Sequence, residues 1–191
     1  LSCRDSSDME FVTDDFQRIC DIIGVDLKMR PYQTVGGNTR YEPSIRWGLY
    51  SQGSGASFEG SYAYKKGAAK AIRAYAPKDA LLHAIADELQ AWQRIHCYGI
   101  RATMSDGPGS NFYPHSGTMS VEVEFLDSHG NERDKYCDGT AKHITRLMRS
   151  LADWLYAVVE KEDMYQCSDE YIADAMEANE YTFRENGDRE D

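Results

Sequence analysis

The sequence predicts an α+β fold, a mainly antiparallel sheet covered by helices with an acidic helical C-terminus, and two patterns carry that expectation. Met119, Val121, Val123 and Phe125 alternate with Ser120, Glu122 and Glu124, the period of two that marks a strand with one face buried. Ile144, Leu147, Met148, Leu151, Trp154, Leu155, Val158 and Val159 recur instead at three- and four-residue steps, the stripe of a long helix that packs across such a sheet. A chain of 191 residues with 41% hydrophobic content can bury a real core, and its length is that of one domain, residues 1–191.

Taken in order, Ser7 and Glu10 have the spacing of a capping box, and Phe11, Phe16, Ile19 and Ile23 follow at near-helical intervals up to Gly24. Residues 25–30 and 41–50 are β-leaning runs either side of the turn-forming VGGN, so they read as paired strands. Residues 65–75 are alanine-rich and helical. Pro77 ends that helix and suits the first turn of another, in which Leu82, Ile85, Leu89, Trp92 and Ile95 keep one apolar face. A strand over 98–104, the loop SDGPGSN and the alternating strand follow, and DSHGN turns the chain into a further run at 132–137. After the long helix, Ser168 caps a last one with Asp169 and Glu170 in its first turn, Ile172 and Met176 facing inward.

Composition narrows the function classes. No stretch approaches the roughly 18–20 apolar residues of a membrane-spanning helix, and LSCRDSSDME lacks a signal peptide's basic start and apolar middle, so a cytoplasmic protein is expected. Five scattered cysteines without a C-x-x-C pair suggest reduced thiols rather than a disulfide framework or zinc site. The net charge of −11 is uneven: residues 153–191 hold 13 Asp or Glu against three Lys or Arg. Affinity for a phosphate backbone comes from Lys and Arg, so that segment points to a basic protein partner or to solubility alone, and not to direct nucleic-acid binding.

The glycine-rich stretch 53–60, GSGASFEG, spaces its glycines like a phosphate-cradling loop. Gly-Lys-Ser/Thr, G-x-G-x-x-G and the kinase HRD and DFG motifs are all missing, which leaves two readings. It is a tight turn or bulge that lets one strand approach another, or a ligand loop contacting through Gln52, Ser54 and Phe58. His96, Cys97, Cys137 and His143 have no metal-ligand spacing, and Cys97 is expected to be a buried, inert thiol. Glu122 and Glu124 share a strand face that is expected to be solvated. No catalytic set, metal or cofactor is expected.

Glu160, Glu162, Asp163, Asp169, Glu170, Asp174, Glu177 and Glu180 straddle the last two helices and form a candidate acidic ridge, able to occupy a nucleic-acid channel of another protein. Residues 50–79, YSQGSGASFEGSYAYKKGAAKAIRAYAPKD, and 168–188, SDEYIADAMEANEYTFRENGD, resemble a family of small acidic proteins of bacteriophages and prophages, uncharacterised or antitoxin-like. Ser54 stands where many relatives have Asp, and Arg184-Glu185-Asn186 precede Gly187 in the tail. The resemblance implies a mobile-element setting. With the charge, it leads us to expect a non-enzymatic counter-defence protein of the host cytosol, anti-CRISPR-like or similar, whose acidic surface blocks a basic nucleic-acid-binding site. The alternatives are an antitoxin for a basic toxin, or a nucleotide-binding protein or enzyme using loop 53–60.

Overall fold

The computed structural model describes residues 9–49, 54–107, 113–127, 129–133, 138–179, 182–183 and 189–190. The helices are α1 (Glu10–Ile23), α2 (Ala68–Tyr75), α3 (Ala80–Ile95), α4 (Asp138–Gln166) and α5 (Asp169–Ala178). The strands are β1 (Val25–Leu27), β2 (Met29–Gln33), β3 (Thr39–Pro43), β4 (Ile45–Gly48), β5 (Gly55–Phe58), β6 (Gly60–Ala63), β7 (Ile100–Asp106), β8 (Met119–Phe125), β9 (Thr182–Phe183) and β10 (Arg189–Glu190). All the strand pairs are antiparallel, so the fold is α+β as the alternation of periods predicts.

The main sheet has the order β1-β6-β7-β8. Because side chains alternate across a strand, the cross-strand row Val25, Tyr62, Ala102, Val123 lies on the helix-covered face, while Asp26, Ser61, Thr103 and Glu122 share the other and are exposed. Phe16, Ile19 and Ile23 of α1, Leu82, Ile85 and Leu89 of α3, and Ile144, Leu147, Leu151 and Leu155 of α4 fill the core against that sheet. Two polar residues lock the layers. Gln93, fully buried, donates to the Ile100 carbonyl (2.8 Å) and accepts from its N–H (3.1 Å), tying α3 to β7. Asp79 caps α3 by accepting from the Leu82 N–H (3.0 Å), and its other oxygen accepts from the Trp154 indole of α4 (2.6 Å).

The two runs expected as strands are each broken at one residue, and the glycine-rich stretch forms a third strand run broken in the same way. β1 runs into β2 through Lys28, β3 into β4 through Ser44, and β5 into β6 through Glu59. At these three residues every strand changes partner, β1 pairing with β6, β2 with β3, and β4 with β5. Their backbones close a ring: Lys28 N–H donates to the Glu59 carbonyl (2.9 Å), Glu59 N–H to Ser44 (2.9 Å), and Ser44 N–H to Lys28 (2.7 Å). The Glu59 carboxylate sits over the ring and accepts from Lys28 Nζ (3.2 Å), Ser44 Oγ (2.8 Å) and the Asp106 N–H (3.4 Å). Partial burial pushes its pKa up, but the hydrogen bonds from Ser44 and Lys28 outweigh that and hold it below the usual carboxylate range. Three ladders therefore radiate from one point, and the β2–β3 hairpin projects away from the main sheet.

Other expectations shift. Among the described residues the first helix starts at Glu10 with Met9 at its N-cap and no side-chain cap bond, while Ser7 lies outside them. The run expected at 132–137 contributes a single bridge, Leu126 to Glu132, with residues 134–137 outside the described ones. The DSHGN turn itself forms, the Asp127 carboxylate accepting the His129 (2.8 Å) and Asn131 (2.9 Å) N–H groups. Strand β8 pairs along its length with β7, and among the described residues the following run reaches only its end, the Arg133 N–H donating to the Phe125 carbonyl (2.7 Å).

Candidate functional site

The glycine-rich stretch is structural where it is described. All four residues of β5, Gly55–Phe58, are buried. A Cβ at Gly60 would lie 2.3 Å from the Asp26 carbonyl oxygen, and one at Gly55 2.8 Å from the His115 ring, so these glycines permit close approach of neighbouring chain. Of the three proposed contact residues, Phe58 is a correction: it is 1% exposed with its ring edge-on to Phe16 at 5.4 Å, out of reach of any ligand. Ser54 is half-buried beside the Tyr156 hydroxyl, and Gln52 lies outside the described residues.

Cys137 lies outside the described residues, and among the described ones the histidines and cysteines form no metal or nucleophile cluster. His143 stacks on Trp92 (4.9 Å), whereas His96 lies against Phe125 (5.0 Å) with Nε2 on the Thr140 hydroxyl (3.1 Å). Burial, and then the charge of Arg133, hold His96 below its ordinary pKa. Cys97, expected to be buried, is exposed: α3 ends at Ile95, and Cys97 and Tyr98 follow in the left-handed region (φ 53° and 63°), turning the chain outward. Cys20 is the buried thiol, pushed well up in pKa by burial and then by Asp21. Among the described residues no three His, Cys, Asp or Glu side chains converge as a metal ion needs. Glu122 and Glu124 are exposed opposite Thr103 and Arg101, on the solvated face expected of them.

The acidic ridge divides into two parts. On α4, Glu160 accepts from Tyr156 (3.2 Å) and Glu162 from Gln166 (3.0 Å), and both Glu162 and Asp163 are half-buried. On α5, Ser168 caps the helix by accepting from the Tyr171 N–H (3.2 Å), as its position in the sequence predicts. Asp169, Glu170, Asp174 and Glu177 are all exposed and have no hydrogen bond or ion pair among the described residues. At 100° per residue they fall within an arc of about 140°, strung along about 12 Å of axis. That is one charge per about 4 Å, close to the 3.4 Å per phosphate along one strand of a duplex. Glu180 lies outside the described residues.

Ile172 and Met176 correct the expectation that α5 faces inward. They are 36% and 40% exposed, and α5 has no buried residue. The helix meets α4 through the edge of Tyr171 on Tyr165 (5.3 Å), and Tyr165 and Met164 are themselves exposed. An apolar edge thus runs beside the acidic face.

Two further surfaces went unnoticed in the sequence. Lys142, Arg146 and Arg149, at helical spacing on the first half of α4, line a cleft of about 660 Å³ with His115, in which Arg146 pairs with Glu88 and Arg149 donates to the Met119 carbonyl (3.0 Å). The i, i+4, i+7 spacing was readable, but the interleaved core stripe masked it. The other surface is a cleft of about 900 Å³ between α1 and the β2–β3 hairpin. Its walls come from segments far apart in the chain, so no local pattern announces it.

A family model described as "Domain of unknown function (DUF8835)" matches residues 9–169. No curated protein and no solved structure matches the chain. The matched span covers α1 to α4 and stops at the first residue of α5.

Proposed function

We propose, for a chain that belongs to the DUF8835 family, whose function is unknown, that it is a non-enzymatic binding protein that docks its acidic helical end on a basic surface of a protein partner. The observation that carries this reading is α5 itself: four exposed carboxylates on one face, unpaired among the described residues, flanked by exposed Ile172 and Met176, on a helix with no buried residue. A short isolated helix is marginal in water, and an apolar edge beside an acidic face is a surface suited to a partner. The charge spacing fits a partner whose basic site ordinarily holds nucleic acid. A phage-encoded inhibitor of a host defence complex, working in the bacterial cytosol, is the setting we favour. Among the described residues no helix is long and apolar enough to cross a membrane.

The test is capture from bacterial lysate by the full chain and by a variant carrying Asp169, Glu170, Asp174 and Glu177 changed to Lys. The wild type should retain a nucleic-acid-binding protein that duplex DNA displaces, and the variant should not. Retention of a toxin that DNA does not displace would favour the antitoxin alternative. Equal capture by both proteins would leave α5 a solvated helix.

A further inference from the structure

The cleft between α1 and the hairpin is built from side chains that dominate protein interfaces. On one wall α1 presents Glu10 and Asp14, one helical turn apart on the same face. The other side is lined by Tyr32, Tyr41, Met29 and Pro43 of the hairpin and by Trp47 of β4; in the hairpin register Met29, Tyr41 and Pro43 share one face and Tyr32 lies on the other. Tyr41 is 66% exposed and Met29 45%, so the hairpin holds apolar surface in water that the core does not use. The hairpin leaves the three-strand junction at Lys28 and Ser44, where it is tied to Glu59 by backbone hydrogen bonds.

Charge decides what fits. Both arginines lining the cleft are neutralised, Arg30 by Glu42 (2.8 Å) and Arg46 by Asp106 (2.7 Å). Glu10 and Asp14 have no hydrogen bond or ion pair among the described residues. Among the described residues the cleft therefore offers two carboxylates without a charged partner on the α1 side, across from Tyr41 and Trp47. Its volume is at the upper end of the ~300–1,000 Å³ of small-molecule pockets, and it is open along the hairpin, which suits a chain segment.

We propose that this cleft docks a peptide segment of a partner protein in which an Arg or Lys neighbours an aromatic or aliphatic side chain. The cation meets Glu10 and Asp14 and lies over the tyrosine and tryptophan rings, and the apolar group packs on Tyr41 and Met29, which share one face of the hairpin. This site lies within the matched family span and stands independently of the acidic end.

The test selects a displayed library of random 12-residue peptides against the full chain at 0.1 M salt and titrates a synthetic copy of the best binder by calorimetry. Enrichment of Arg or Lys beside Trp, Tyr or Leu is expected. The pair Glu10→Gln with Asp14→Asn should weaken the peptide at least tenfold and flatten its salt dependence. The pair Tyr32→Ala with Tyr41→Ala should weaken it at least tenfold at unchanged salt dependence. Neutralising Asp169, Glu170, Asp174 and Glu177 should change its affinity less than twofold. The proposal is overturned by an absence of enrichment, by acidic peptides, by binders indifferent to both cleft pairs, or by a self-associating chain that Tyr41→Ala dissociates. Binders weakened only by the α5 changes would belong to the acidic end and would sink the cleft while leaving that reading intact. Should the tyrosine pair unfold, the isosteric Glu10 and Asp14 pair still decides.

Discussion

The cleft and the acidic helical end both set carboxylates beside exposed apolar side chains, but the cleft is braced by the core and the acidic end is not. The cleft's walls continue directly into buried structure: α1 buries Val12, Phe16 and Ile19, and the hairpin leaves a junction closed by three backbone hydrogen bonds. Helix α5 buries nothing and meets α4 at a ring edge. The family span follows the same division, containing the cleft and ending where α5 begins. A surface braced by the core can recognise shape, whereas an acidic helix with little packing beneath it recognises mainly charge.

That division can be broken by mutation, since changes on the braced side should cost stability and changes on α5 should not. Gly60→Ala should have the largest effect, about 3 kcal/mol in denaturant unfolding, because its Cβ would lie 2.3 Å from a backbone oxygen of the paired strand. Asp79→Ala removes a helix cap and the partner of the Trp154 indole at once, for about 2 kcal/mol by thermal unfolding. Glu59→Gln should cost about 1.5 kcal/mol at pH 7 by weakening the charge-assisted bonds over the junction. Because the folded-state pKa of Glu59 is depressed, its contribution is complete above the unfolded value of about 4.3 and is lost as pH falls through the folded value. The difference between wild type and Glu59→Gln should therefore be constant from pH 6 to 8 and shrink in acid below about pH 4. Neutralising the four α5 carboxylates should move the global unfolding free energy by less than about 0.5 kcal/mol. A loss of 2 kcal/mol there would mean that α5 is part of the core after all.

Local patterns made most of the fold legible. The period of β8, the stripe of α4 and the Ser168 cap each depend on neighbours in sequence, and each appears where the residues place it. The three-strand junction was not legible, because Lys28, Ser44 and Glu59 look like ordinary strand residues and only their meeting in space makes them break points. Cys97 and the α5 residues Ile172 and Met176 misled for a related reason: an apolar residue at helical spacing reads as buried whether or not anything lies opposite it. The glycines of 53–60 looked like a ligand loop because small residues serve close packing and ligand approach alike.

The proposed binding of α5 through its charge is tested most directly by the association rate of the captured partner with the wild type and with the Asp169, Glu170, Asp174 and Glu177 to Lys variant, across ionic strength. The wild-type on-rate should fall steeply as the Debye length shortens from about 10 Å at 0.1 M to about 3 Å at 1 M salt. The variant should start at least tenfold slower at 0.1 M and show little fall, while its circular dichroism stays helical. Equal on-rates with the same salt slope in both proteins would contradict the claim.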